Sequence, residues 1–215
     1  MRLRDPRRAA LTLLLGLTAC ATLSPPIVQS QVVQVVPGVL KKVAVAPFQP
    51  DPTLRPVSEP PVSAALAAEL VTRIVADALT AQGVAVVAPN DLQLAFESQG
   101  AVLPRGDAAA IAAVAASQFG ATGVVIGSVT RFREREGGAH GAMRPASVSF
   151  SFVLHGAPDG APVYRVRFDH TQQALTDNLF GGLQYPGSGF RWLTAAELAR
   201  WGADNAIDDI PSGME

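Results

Sequence analysis

Two alternating segments flanking a Pro-Asp-Gly turn constrain this 215-residue chain more than anything else in it. Val148, Phe150, Phe152 and Leu154 alternate with Ser147, Ser149, Ser151 and Val153, and Tyr164, Val166 and Phe168 alternate with Arg165, Arg167 and Asp169. A period of two is the signature of strands with one face packed and the other, with its serines and arginines, wet. The pattern also sets the pairing. A loop of only Asp159-Gly160 would put Leu154 opposite Arg165, a core residue against a solvated one. The longer loop Pro158-Asp159-Gly160 puts Leu154 opposite Tyr164, Phe152 opposite Val166 and Phe150 opposite Phe168. Directly opposed residues share a face, so the longer loop is selected. Pro158 then starts a type I turn and Gly160 takes the left-handed position of a bulge.

The preceding segments read as an alternation of strands and helices. Val43-Ala44-Val45-Ala46-Pro47-Phe48 is a short apolar run, expected as a strand buried on both faces, and the proline-rich residues 49–61 follow as loop. Leu66, Ala67, Leu70, Val71, Ile74, Val75, Ala78 and Leu79 form one helical stripe, with Glu69, Arg73 and Asp77 opposite and Gly83 as the stop. Residues 84–87 are expected as a second buried strand. Asn90 or Asp91 is expected to cap a helix through Ser98, and Asp107 one from Ala108 to Phe119. Residues 124–132 begin apolar and become alternating, a strand leaving a covered centre for solvent. Thr194-Ala195-Ala196-Glu197 is a capping box opening a helix that carries Leu198, Trp201 and Ile207. The order β-α-β-α-α-β-β-β-α implies a single α/β domain. Its mixed sheet of about five strands carries packed helices, with a C-terminal helix last.

The N-terminus adds an address. Arg2, Arg4, Arg7 and Arg8 precede an apolar run from Ala9 to Leu17, followed by Leu17-Thr18-Ala19-Cys20. About nine apolar residues span roughly 13 Å as a helix, far less than the ~30 Å hydrocarbon layer. The arrangement resembles a bacterial lipoprotein signal peptide ending in a lipobox. That resemblance implies cleavage before Cys20, lipidation (diacylglycerol on its thiol, then N-acylation) and, with Ala21 next, an outer-membrane anchor, expected on the periplasmic face. Residues 1–19 are then signal, and 20–40 the lipidated N-terminus and a Pro/Gln-rich tether with a short edge strand at Val32–Val36. Residues 41–171 form the α/β domain, and 172–215 a Gly/aromatic segment and C-terminal helix. As a coil, residues 21–38 would span about 20–25 Å.

Cys20 is the only cysteine, so disulfides and cysteine-based metal sites are excluded. Without residues 1–19 the chain keeps 13 basic and 17 acidic side chains, net −4, which offers no basic footprint for nucleic acid.

Lys42-Val43-Ala44-Val45-Ala46-Pro47-Phe48, the long helix, and Gly120-Ala121-Thr122-Gly123-Val124-Val125-Ile126-Gly127-Ser128-Val129 carry a second resemblance. They look like the domain shared by the TolB N-terminal region, the curli-secretion lipoprotein and the lipoprotein that activates a peptidoglycan synthase. The match covers about residues 41–171, with Thr122 where that pattern often has Asp. It implies a small α/β domain that docks proteins and needs no cofactor.

Chemistry in the residues themselves is sparse. His140, His155 and His170 recur every fifteen residues, but in the hairpin register His155 and His170 point to opposite faces, which removes a shared metal site. His170 is expected to close the packed face with its ring bonded to backbone. Gly187-Ser188-Gly189 lacks the strand–helix context of a nucleophile elbow. Asp204, Asp208 and Asp209 read as a solvated helix end. The sequence points to a non-enzymatic docking or accessory protein of the envelope, with Arg165, Arg167, Tyr185, Phe190 and Trp192 as the candidate partner surface. A secretion-pore subunit, its hairpin serving as barrel strands, and an envelope hydrolase are the alternatives.

Overall fold

The computed structural model describes residues 28–52, 63–173, 185–186, 191–211 and 214. Strands β1 (Val28–Val32), β2 (Lys42–Val45), β3 (Gln49–Pro50), β4 (Ala85–Val87), β5 (Gly123–Arg133), β8 (Ser147–Gly156) and β9 (Pro162–Thr171) form one seven-stranded mixed sheet. Its order is β1-β9-β8-β5-β2-β4, with β3 beside the far end of β5. Strands β6 (Glu136–Gly138) and β7 (Gly141–Arg144) make a separate small hairpin. The helices are α1 (Ala64–Ala81), α2 (Pro89–Glu97), α3 (Ala108–Phe119) and α4 (Ala195–Asp208). The fold is therefore the single mixed α/β domain expected, with seven strands in place of about five.

Strands β4, β2 and β5 are parallel, so each connection must cross over the sheet. The chain runs outward from β2 to β4 through α1 and back from β4 to β5 through α2 and α3. Right-handed crossovers in opposite directions put their helices on opposite faces. Val43, Val45, Val125 and Val129 accordingly pack with α1, while Ala44, Val124 and Ile126 pack with α2 and α3. On the first face α4 continues the layer over β8 and β9, burying Phe150, Phe152, Leu154, Val166 and Phe168. Each such side chain contributes about 1.5–3 kcal/mol. Gly202 lets α4 approach: a Cβ there would sit 2.7 Å from the Phe168 ring.

Several expectations hold in detail. Leu154 pairs with Tyr164, Phe152 with Val166 and Phe150 with Phe168. Asp107 caps α3 by accepting from Ala110 N at 3.0 Å, and the Thr194–Glu197 capping box is complete. Others are corrected. The hairpin closes through four residues, 157–160, with Gly156 N donating to Ala161 O, and an irregularity between Leu154 and His155 restores the register. Gly160 keeps its left-handed φ of 73°, and a Cβ on it would lie 2.6 Å from Ala109 N at the start of α3. Helix α2 is entered from Ala88 with Pro89 in its first turn, so neither Asn90 nor Asp91 is its cap. Strand β4 is a sheet edge with Ala85 exposed, not a buried strand.

The largest corrections lie near the ends of the sheet. Residues 28–32, expected within the tether, pair antiparallel with β9 from Val28–Phe168 to Val32–Tyr164, so the edge strand precedes the Val32–Val36 position expected for it. Beyond β5, where the chain is expected to run towards solvent, residues 136–144 form the β6–β7 hairpin. Thr122 forms a hydroxyl clip: its Oγ1 accepts from Lys42 N at 3.0 Å and contacts the carbonyls of Val39 and Lys42 at 3.1 Å. It ties the start of β5 to β2.

Candidate docking surface

Among the described residues, the second face of the sheet is covered by helices only where α2 and α3 lie. Beyond them, over β8, β9 and β1, the outward side chains are polar apart from the half-buried Val153. Arg165 and Arg167 of β9 are exposed and stand opposite Gln31 and Gln29 of β1, also exposed. Gln29, Gln31, Arg165 and Arg167 line a shallow depression of about 220 Å³. The Arg165 side chain makes no hydrogen bond or ion pair among the described residues. Arg167 reaches Asp169 Oδ2 at 3.1 Å, and Arg131 bonds the other carboxylate oxygen. Burial alone would raise Asp169, but hydrogen bonds from Arg131 and Arg167 outweigh it and hold the carboxyl below its ordinary value.

The serines on this face are less wet than expected. Ser147 and Ser149 are buried, 1% and 3% exposed. Arg131 Nε donates to Ser147 Oγ at 2.6 Å and Thr130 Oγ1 to Ser149 Oγ at 2.8 Å. The arginine and the bulge at Val129/Arg131 lay a polar lid over that end. Open surface is therefore confined to the β9–β1 edge and the middle of β8.

The other named residues divide. Tyr185 is buried: its hydroxyl is 2.7 Å from His170 Nε2, and its ring centroid lies 5.0 Å from that of Trp201. It belongs to the covered face, so the sequence assignment to a partner surface fails because a Gly-rich neighbourhood conceals an aromatic core residue. His170 likewise bonds this side chain instead of backbone, and burial lowers its pKa, favouring the neutral ring. Trp192 is half-buried, with its N donating to Ala139 O at 2.8 Å and its carbonyl accepting from Arg135. Phe190, Ser188 and Cys20 lie outside the described residues.

His155 and His170 do face opposite sides: His155 pairs with Val124 of the second face, His170 with Val148 of the first. His155 Nδ1 lies 2.8 Å from Gly160 O, and His140 is exposed beside β7. Among the described residues no three His, Cys, Asp or Glu side chains are placed to hold a metal ion. The acidic helix end is not simply solvated. Asp209 accepts from Ser30 at 3.1 Å, Asp208 from Gln82, and Arg200 reaches Asp77 at 3.3 Å, so these pairs fasten α4 to β1 and α1. At the start of α4, Arg191 binds Glu197 at 2.8 Å; that bond, followed by those from Thr194, lowers the Glu197 carboxyl to about 2.

A groove of about 520 Å³ opens at the carboxyl ends of β2 and β4, lined in part by Pro47, Phe48, Pro50, Pro89 and Gln93. Crevices at strand carboxyl ends are common ligand positions in α/β sheets. Here Thr72 Oγ1 is committed to Phe48 N at 2.9 Å and Ala68 O at 2.7 Å, while Glu69 and Arg73 pair with each other at 3.8 Å. The lining groups are therefore arranged as structural supports. No described helix is long and apolar enough to cross a membrane.

No family model and no curated protein matches the chain. Among solved structures it is similar to the PelC L103M dodecamer from Paraburkholderia phytofirmans, with TM-score 0.49, 17% identity, and 84% of this chain and 95% of that one covered. It is also similar to the lipoprotein GNA1162 from Neisseria meningitidis, with TM-score 0.44, 16% identity, and 66% and 90% covered. A third is the LpoB C-terminal domain from Salmonella enterica, with TM-score 0.42, 16% identity, and 66% and 89% covered.

Proposed function

We propose that this chain is a lipid-anchored accessory protein of the bacterial envelope, held by acyl chains on Cys20 at the periplasmic face of the outer membrane. It acts by docking another envelope protein, without chemistry of its own. The observation that carries the reading is Arg165, an exposed guanidinium without a partner among the described residues, on a broad part of the sheet that no described helix covers. A bare, polar, antiparallel sheet face beside a free edge strand is a surface for a complementary protein, and its cations favour an acidic one. The lipobox resemblance supplies the location: two signals of acylation give durable attachment where one does not.

A photo-crosslinking amino acid in place of Arg165, compared in intact cells with the same group at the exposed Leu94 of α2, tests the reading. Discrete crosslinked species from position 165 and none from position 94 are expected. Equal yields, or none from position 165, would overturn the docking assignment.

A further inference from the structure

Strand β1 fixes where an anchor at Cys20 must emerge. Val28 pairs with Phe168, so the chain enters the sheet at the end that holds the close of β9, the close of β5 and the opening of β8. Cys20 precedes Val28 by eight residues, which caps the distance between them at about 29 Å whatever path those residues take. The Pro158–Gly160 turn lies at the opposite end, roughly 30 Å away along the ten residues of β9.

The near end is built differently from the rest of a chain that is acidic overall. It carries Arg131 and Arg133 of β5, Arg135 just beyond, and Arg144 of β7, with Met143 of β7 exposed by 87%. Glu136 is used by Arg144 at 2.8 Å and Asp169 by Arg131. Glu134 is spent on backbone amides, accepting from Arg135 N at 3.0 Å and from Ala195 N. Arg133 and Arg135 are left with carbonyl partners only, Pro145 O and Trp192 O, and Arg133 Nε is buried without a hydrogen bond. Two neighbouring arginines without a carboxylate partner, Arg133 and Arg135, are an anion-seeking arrangement. An exposed methionine on a hairpin beside them adds an apolar point at the same surface.

Resting on the anchored reading above, we infer that the β6–β7 hairpin end lies against the phosphate headgroups of the membrane that holds the acyl chains. Arg133 and Arg135 face lipid phosphate and Met143 enters the interface. The strands then stand upright on the bilayer, and the Arg165–Arg167 face looks sideways into the periplasm, free of lipid.

The acylated full chain is reconstituted in phosphatidylcholine vesicles containing phosphatidylglycerol. Met143→Cys or Asp159→Cys supplies a single free thiol for a fluorophore, since the Cys20 thiol is acylated. Lipids bearing a headgroup nitroxide are expected to quench the label at position 143 severalfold more than at position 159, and Arg135→Glu to reduce that difference. Equal quenching at both positions on protein that floats with the vesicles would overturn the orientation and leave the anchor standing. Protein that fails to float would overturn the anchor and the orientation together.

Discussion

The parallel strands β4, β2 and β5 and the antiparallel strands β8, β9 and β1 share one sheet but not one environment. Parallel neighbours need crossovers, and here the outward and return crossovers deposit α1 on one face and α2–α3 on the other. The parallel half is thus sandwiched, and β2 is buried throughout Val43–Val45. The antiparallel strands are joined by a tight hairpin that brings no helix, and α4 closes only one of their faces. Connection type, more than local hydrophobicity, decides where this molecule keeps a bare surface. That surface is where the docking reading places its contact.

The contrast is open to breakage by substitution. Phe168→Ala, on the closed face of the antiparallel half and against Gly202, is expected to cost about 3–5 kcal/mol in urea unfolding. Ile111→Ala in α3, which covers the second face of the parallel half, should cost about 2–5 kcal/mol. If its loss resembled that of a surface residue, the sandwiching of the parallel half would be wrong.

Smaller effects sharpen the closed side. Glu197 has its carboxyl lowered from 4.5 to about 2, so its contribution is full above 4.5 and disappears as pH falls towards 2. Glu197→Ala should remove about 1 kcal/mol of capping at neutral pH and flatten stability over that window. His170, lowered by burial, opposes protonation in the folded state, so stability should also fall as pH drops below its ordinary 6.5. A His170→Phe chain should lack that second component in a pH series of melting curves. Least of all, Arg165→Ala should shift stability by no more than about 0.5 kcal/mol, because its side chain touches no partner among the described residues.

Legibility in the sequence followed the same divide. The hairpin register could be read because three apolar pairs align in only one way, and the caps Asp107 and Thr194 because a side-chain acceptor at that spacing has a local job. Strand β1 could not. Val28-Gln29-Ser30-Gln31-Val32 buries only Val28 and gains its place from the free edge of β9, a tertiary fact. The β6–β7 hairpin, Glu136-Gly137-Gly138 against Gly141-Ala142-Met143-Arg144, has no apolar face to announce it. Arg165 and Arg167 were legible as the outward positions of an alternating strand. Tyr185 was not legible as core, because the histidine and tryptophan that enclose it are distant in sequence and its neighbours are glycines.

The central claim is that the bare face of the antiparallel half binds a partner, while the stability of that half comes from its closed face. Its most direct test is recovery of crosslinked envelope complexes with tagged wild-type and Arg165→Glu chains, alongside their urea midpoints. Partner recovery should collapse in Arg165→Glu while the midpoint stays where it was. Undiminished recovery at an unchanged midpoint would contradict the account.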